Sequence, residues 1–259
     1  MNQPEIDLNQ LQKTVRVNRQ VINRLKERVS LLEDALELVC GDEQMQWLYR
    51  NRRERMDATV PMFAPSRAAF HLARYEFACR YVEHKTVADI ACGTGYGSRM
   101  LIETGKAHSV TGVDVCAETI DYATDRHHLT GCEFVCADAT STGLSPDSLD
   151  VVVSFETIEH VQDDEALINE FARLLKADGL LICSTPNQWP LDIAPHHVRE
   201  YDRDSFNNLL NHQFQVLHLY NQNSGSDFQY NHDQPAGITP TTYENHELAE
   251  CFLAVARLR

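Results

Sequence analysis

The feature that most restricts this chain is a short apolar run that breaks into a glycine-rich turn. Residues 86–91 read TVADIA, and the next six read CGTGYG, with glycines at 93, 95 and 97. Small and β-branched residues bounded by glycine predict a strand, and the glycines allow a tight bend with backbone N–H groups open to a ligand. The pattern then repeats. A helix is expected over 98–104, cut by Gly105, and HSVTGVD (108–114) predicts a second strand ending in an acid. AETIDYATDRHH (117–128) is helical, CEFVCAD (132–138) a third strand ending in an acid, and LDVVVSF (149–155) a fourth. Residues 163–176 predict a helix with Gly179 just beyond it, followed by LLICSTP (180–186) as a fifth strand. Residues 203–212 look helical, 213–220 form a sixth strand and 248–258 a last one, while polar 221–246 reads as a long loop or lid. Short β-rich runs separated by helical periods imply an α/β fold, a parallel sheet with helices on both faces.

The N-terminal quarter reads differently. Leu8, Val15, Ile22, Val29 and Leu36 alternate with Leu11, Asn18, Leu25, Leu32 and Val39 in a 3-4 repeat that Gly41 ends. β-branched residues at a and leucine at d favour a parallel two-stranded coiled coil, with Asn18 as a register-setting seam residue. A homodimer through residues 8–39 is therefore expected; the competing reading is a long helix packed on its own domain. We divide the chain into a coiled-coil helix (1–41), a connector (42–65) containing Arg50, Arg52, Arg53 and Arg55, and one domain (66–259). Helical spacing over 66–82 begins with Ser66 as its expected cap.

Composition narrows the setting. The formal charge is −15, and the deficit falls on residues 61–259, because the first sixty residues are balanced. Such a body repels a phosphate backbone, which counts against nucleic acid. No run is apolar enough for membrane insertion, and the N-terminus lacks the pattern of a secretory signal. The eight cysteines include no CxxC pair, so no metal centre is assigned and a reducing, cytoplasmic location is expected.

The turn is not the dinucleotide fingerprint, because its third glycine comes too soon, and it lacks the Lys-[ST] pair of a triphosphate loop. Asp89 precedes it. Asp114 ends the next strand, where a carboxylate can accept both hydroxyls of a ribose. Asp138, beside Ala139, ends the third and can accept from an adenine amine. Three acids at successive strand ends around one glycine turn describe an adenosine without phosphates and with a charged amino acid attached.

VADIACGTGYG, VTGVD, CADA, FETIEHV and LLKADGLLICSTPN together resemble the class I S-adenosylmethionine-dependent methyltransferases, in the branch with small-molecule and sugar acceptors. The resemblance covers about residues 66–220. It implies a Rossmann-like seven-stranded sheet with a reversed final strand, and S-adenosylmethionine as cofactor. Gly93 and Gly95 would approach its methionine part, Asp89 its amino group, Asp114 the ribose and Asp138 the adenine, with Ala91, Val115 and Ala139 beside them. Phe155 and Glu156 would lie near the sulfonium and Tyr96 at the cleft, with His71, Arg74 and Tyr75, on the helix that caps it, meeting the cofactor carboxylate or the acceptor, or else lying on the helix surface.

A sulfonium is already an activated electrophile, so the protein has to align the acceptor and exclude water. A sugar hydroxyl benefits from a general base. His160, His197 and Glu156 are the candidate catalytic residues, with His196 as the neighbouring alternative, and Trp189, Tyr201, Tyr220 and Tyr230 supply aromatic area nearby. The expected activity is methyl transfer to a hydroxyl or amine of a saccharide or sugar-like small molecule. Two alternatives stand beside it. The E-x-x-E-H spacing of Glu156, Glu159 and His160 with a later His resembles the metal site of the small-RNA terminal 2′-O-methyltransferases, and a coiled-coil scaffold could retain a vestigial cofactor fold.

Overall fold

The computed structural model describes residues 21–32, 42–52, 54–192, 194, 196–225 and 235–259. In chain order the elements are α1 (residues 21–32), α2 (Glu43–Asn51), α3 (Pro65–Ala78), β1 (Thr86–Ile90), α4 (Tyr96–Glu103), β2 (Ser109–Asp114), α5 (Ala117–His127), β3 (Cys132–Cys136) and β4 (Leu149–Phe155). They continue with α6 (Asp164–Leu174), β5 (Leu175–Pro186), α7 (Arg203–Leu210), β6 (Phe214–Asn223), β7 (Gly237–Pro240), a 3-10 turn (His246–Leu248) and β8 (Cys251–Leu258). One sheet runs β3-β2-β1-β4-β5-β8-β6-β7. β1 to β5 are mutually parallel, and β8 lies antiparallel between β5 and β6.

Alternation along the strands divides the interior into two layers. Val152 of β4 faces Leu167, Phe171 and Phe206 of α6 and α7. Val151 and Val153 face the layer built from α2 to α5, with Leu48, Tyr75, Phe77, Leu101 and Tyr122. In β8, Ala254 and Ala256 fall in the first layer and Leu253 and Val255 in the second. This double burial explains why residues 251–256 are apolar throughout, and residues 251–258 are strand rather than alanine-rich helix.

Several expectations are corrected. The sheet has eight strands rather than seven, because Gly237–Pro240, inside the segment read as a loop or lid, adds to the outer edge of β6. Pro240 ends that strand, at an edge where a missing N–H costs little. β5 begins at Leu175, so the helix expected to reach 176 stops two residues earlier, and Leu175 pairs with Leu149 across a register shift. α3 is capped by Ala64 with Pro65 in its first turn, so Ser66 is not its cap. α4 starts directly after Gly95, two residues before the expected position.

The heptad segment falls largely on residues 1–20 and 33–41, outside the described residues. Within it, α1 leaves Ile22, Leu25, Val29 and Leu32 exposed. The stretch read as a connector packs into the core through Met45, Leu48, Met56, Met62 and Phe63. It is pinned by Asp57, whose buried carboxylate lies 2.7 Å from His127 Nε2 and accepts from Tyr122 Oη at 3.0 Å and Thr59 N at 2.9 Å. No described helix is long and apolar enough to cross a membrane.

Candidate active site

The parallel strands deliver their ends to one edge of the sheet, and the turn after β1 lies there. Ala91, Gly93 and Gly95 all have positive φ, at 61°, 55° and 86°. A Cβ on Gly93 would meet nothing within 4 Å, so the backbone there faces open space. A Cβ on Gly95 would approach Ala123 Cβ and the Phe134 ring to 2.7 Å, and one on Gly97 would run into the Tyr75 ring. The first glycine leaves room for a ligand; the second lets the turn pack closely against α5 and β3, and the third lets α4 sit tightly on α3.

Asp114 is 6% exposed and holds both sides of the turn. One oxygen accepts from Gly93 N at 3.0 Å and the other from Cys116 N at 3.0 Å, with Arg55 Nη2 3.9 Å away. Asp89 is fully buried. Its carboxylate accepts from Ser98 Oγ at 2.6 Å and from Tyr75 Oη at 3.3 Å. Burial pushes this carboxyl up to about 7 and the Asp114 charge acts in the same direction, against the Ser98 and Tyr75 hydrogen bonds. Asp138 lies two residues past β3 and is exposed, and Val115 is exposed beside Asp114. Thr140 donates to Asp138 through Oγ1 at 2.6 Å and N at 2.8 Å, which holds that carboxyl below its usual value. Ala137 N donates to the Asp114 carbonyl, tying the β3 end, and with it Ala139, to the same edge.

Tyr75 links this half of the site to the next. Its ring meets Tyr96 edge-on at 5.5 Å and Phe155 at 5.1 Å. The preceding residue on α3, Arg74, is fully buried, 3.0 Å from Glu156 and 3.4 Å from Ser184 Oγ, with its guanidinium 4.8 Å from the Phe70 ring centroid. Burial alone would depress this guanidinium; the Glu156 charge, together with Cys251, Tyr96 and Glu159, outweighs it. Glu156 also accepts from Ser184 Oγ at 2.8 Å and Cys251 Sγ at 3.5 Å, and its φ of 53° is unusual for a residue with a side chain. The structure thus brings Arg74 to Glu156 as a buried ion pair that fixes the loop after β4. His71 is partly buried, and burial with the neighbouring Arg74 charge holds its imidazole well below the ordinary value.

His160 and His197 come together from different loops, with ring centroids 4.7 Å apart and planes at 86°. His160 Nδ1 lies 3.0 Å from the His196 carbonyl oxygen, and His197 stacks on Trp189 at 6.2 Å. Burial, then the His160 charge, lowers the His197 pKa. His196 instead points its Nε2 at Glu54, 3.2 Å away. Tyr201 is buried, donating to Asp164 at 2.5 Å, and Tyr220 packs on Phe77. Both are core residues, and Tyr230 lies outside the described residues. Sequence reasoning missed Ser98, Ser184 and Arg55, which act through the side chains of other residues and carry no spacing signal of their own.

Residues 88–183 match the family described as methyltransferase domain. A probable S-adenosylmethionine-dependent methyltransferase of Mycobacterium tuberculosis is 33% identical over 132 residues, which is 49% of this chain and 47% of the relative. A malonyl-[acyl-carrier protein] O-methyltransferase of Acetivibrio thermocellus is 32% identical over 99 residues, 38% of this chain and 35% of the relative. The chain therefore spans less than half the length of these curated relatives. In fold it is similar to an S-adenosylmethionine-dependent methyltransferase of Mesorhizobium loti, with a TM-score of 0.53 at 21% identity, covering 73% of this chain and 99% of that one. The open cradle at Gly93 and the two oxygens of Asp114 suit an adenosyl group without phosphates. Residues 88–183 are thus similar to the S-adenosylmethionine-dependent methyltransferase domain, on a fold that such enzymes share.

Proposed function

We propose that this chain moves a methyl group from S-adenosylmethionine to a hydroxyl of a saccharide or sugar-like small molecule. The observation that carries the reading is the placement of the His160–His197 pair at the strand edge that also holds the glycine turn and Asp114. Bound there, the cofactor supplies an activated methyl group. Gly93, Gly95 and Asp114 hold and orient it, Asp89 faces its cationic end, and Asp138 and Ala139 flank the adenine.

The Arg74–Glu156 pair has a positioning part, because both groups are engaged with each other and with Ser184. The imidazoles have the proton-handling part: a pKa lowered by burial leaves His197 neutral at pH 7, with a lone pair available to an acceptor O–H. A reducing cytoplasmic setting belongs to the same reading, and every described cysteine is free.

The test is a panel of sugars and nucleotide-sugars incubated with labelled cofactor. Methyl transfer to a saccharide oxygen is the expected result, abolished or cut by about a hundredfold in His197→Ala. Transfer confined to another acceptor class would overturn the substrate reading while leaving the cofactor site intact.

The partner we propose for α1 is a second copy of the chain. Its support is the exposure of Ile22 and Val29 at a positions and Leu25 and Leu32 at d positions, an apolar seam on one helix face.

A further inference from the structure

The described cysteines fall into two groups. Cys79, Cys92, Cys132, Cys183 and Cys251 are packed into the domain, and burial pushes each of these thiols up, which keeps them protonated and unreactive. Cys116 is half-buried and Cys136 is exposed.

These two share one corner of the sheet. Cys136 closes β3 in register with Asp114, the last residue of β2. Cys116 follows that acid by two residues and is the N-cap of α5. Alternate side chains of a strand share a face, so Cys132, Phe134 and Cys136 point the same way. α5 covers that face, since Ala123 and the Phe134 ring both lie 2.7 Å from where a Cβ of Gly95 would stand. Cys136 therefore sits at the end of α5 that Cys116 caps. Its Sγ donates to the Val115 carbonyl at 3.5 Å. That carbonyl belongs to the peptide group leading into Cys116, so ordinary peptide dimensions put the Cys116 Cα roughly 6 Å or less from the sulfur. Bridged cysteines stand about 4.4–6.8 Å apart at Cα, a span of the same order.

We propose that Cys116 and Cys136 are a redox-modified pair, joined by a disulfide when a peroxide oxidises them. The exposed Cys136 sulfur attacks one peroxide oxygen and the O–O bond breaks; Cys136 becomes a sulfenic acid and the departing hydroxide takes up the thiol proton as water. Cys116 sulfur then attacks the sulfenic sulfur, the S–S bond forms, and the second hydroxide leaves with the Cys116 proton as water. The two thiols are oxidised and the peroxide is reduced to water. The bond requires Cys116 to release Glu118, which its Sγ meets at 3.2 Å, and to turn toward β3. In a reducing compartment such a bond is transient and reports the oxidant.

The staple crosses the corner between Asp114 and the β3 end. Cys116 N donates to Asp114 at 3.0 Å, so drawing Cys116 toward β3 disturbs the acid that also holds Gly93. The effect on the cofactor rests on the proposed placement of Asp114, Val115 and Asp138 around the adenosyl group; formation of the bond does not.

The experiment treats the reduced full chain with hydrogen peroxide, blocks the remaining thiols and maps the digest by mass spectrometry. One linked peptide pair joining Cys116 to Cys136 is expected, reversed by dithiothreitol. The oxidised chain should bind S-adenosylmethionine about tenfold more weakly by calorimetry and recover on reduction. Cys136→Ser should bind the cofactor as the reduced chain does and lose the response to peroxide. No Cys116–Cys136 link, or over-oxidised single cysteines as the only products, overturns the pair. A link that forms while cofactor affinity stays unchanged upholds the modified pair and counts instead against the placement of Asp114 and Val115 at the adenosyl group.

Discussion

At the scale of single residues, Asp89 shows how burial is used. Its carboxyl is raised to about 7 from an ordinary 3.8. The sign follows directly: the folded state favours the protonated form, so its stabilising contribution is complete at low pH and is lost as pH rises from 3.8 through about 7. A cationic cofactor reverses the preference by drawing the group into its ionised form. Binding near pH 6.5 should therefore release a fraction of a proton, read as a dependence of binding enthalpy on the buffer's ionisation enthalpy. Identical enthalpies in all buffers would defeat this assignment.

Asp114 makes a different prediction. Replacing it with alanine removes the acceptor for Gly93 N and Cys116 N as well as for a ribose, so cofactor affinity should fall about a hundredfold. A calorimetric titration decides it; an unchanged Kd would sink the ribose role. These two acids were legible in the sequence because Asp114 closes an apolar run and Asp89 interrupts one just before the glycine turn. Glu156 was legible only as a carboxylate. Its confinement by Arg74, Ser184 and Cys251 comes from residues far apart in the chain, and no local spacing records it.

Elements carry their own lessons. The helix–strand alternation was readable because strands buried on both faces need continuous apolar runs, as in LDVVVSF and LLICSTP. Readings failed where edge pairing decided the outcome. GITP has no apolar run to announce it, and becomes a strand only because β6 offers an unpaired edge. Packing of α4 on α3 is equally invisible in sequence: Gly97 is required by the Tyr75 ring, one helix away. Gly97→Ala should cost about 1–3 kcal/mol, as overpacking does, and lower the melting temperature by several degrees. Unchanged thermal denaturation would show that Tyr75 can move aside.

The 54–63 segment is fixed by Asp57. The His127 and Thr59 contacts outweigh burial and hold its carboxyl below 3.8. Stability from this group is therefore present above pH 3.8 and is lost as pH falls through the lowered folded value. Asp57→Ala should cost about 3–5 kcal/mol, the usual penalty for stripping one partner from a buried pair, and flatten the acid limb of the stability profile. A mutant with the wild-type acid limb would place that sensitivity elsewhere.

For the whole molecule, the seam on α1 predicts a dimer. Sedimentation of the full chain should give twice the monomer mass, and replacing Leu25 and Leu32 with glutamate should return it to the monomer while leaving cofactor binding in place. Sedimentation as a monomer before any substitution would reject the partner.

The position of β8 has a consequence for how the molecule is made. β8 follows every other strand of this sheet in chain order, yet it sits in the interior, hydrogen-bonded to β5 on one side and β6 on the other. Until it arrives, both neighbours present bare edges of the kind that recruit foreign strands. The sheet therefore cannot close until β8 has been made, and the interval before it docks is the most aggregation-prone in the folding of this domain.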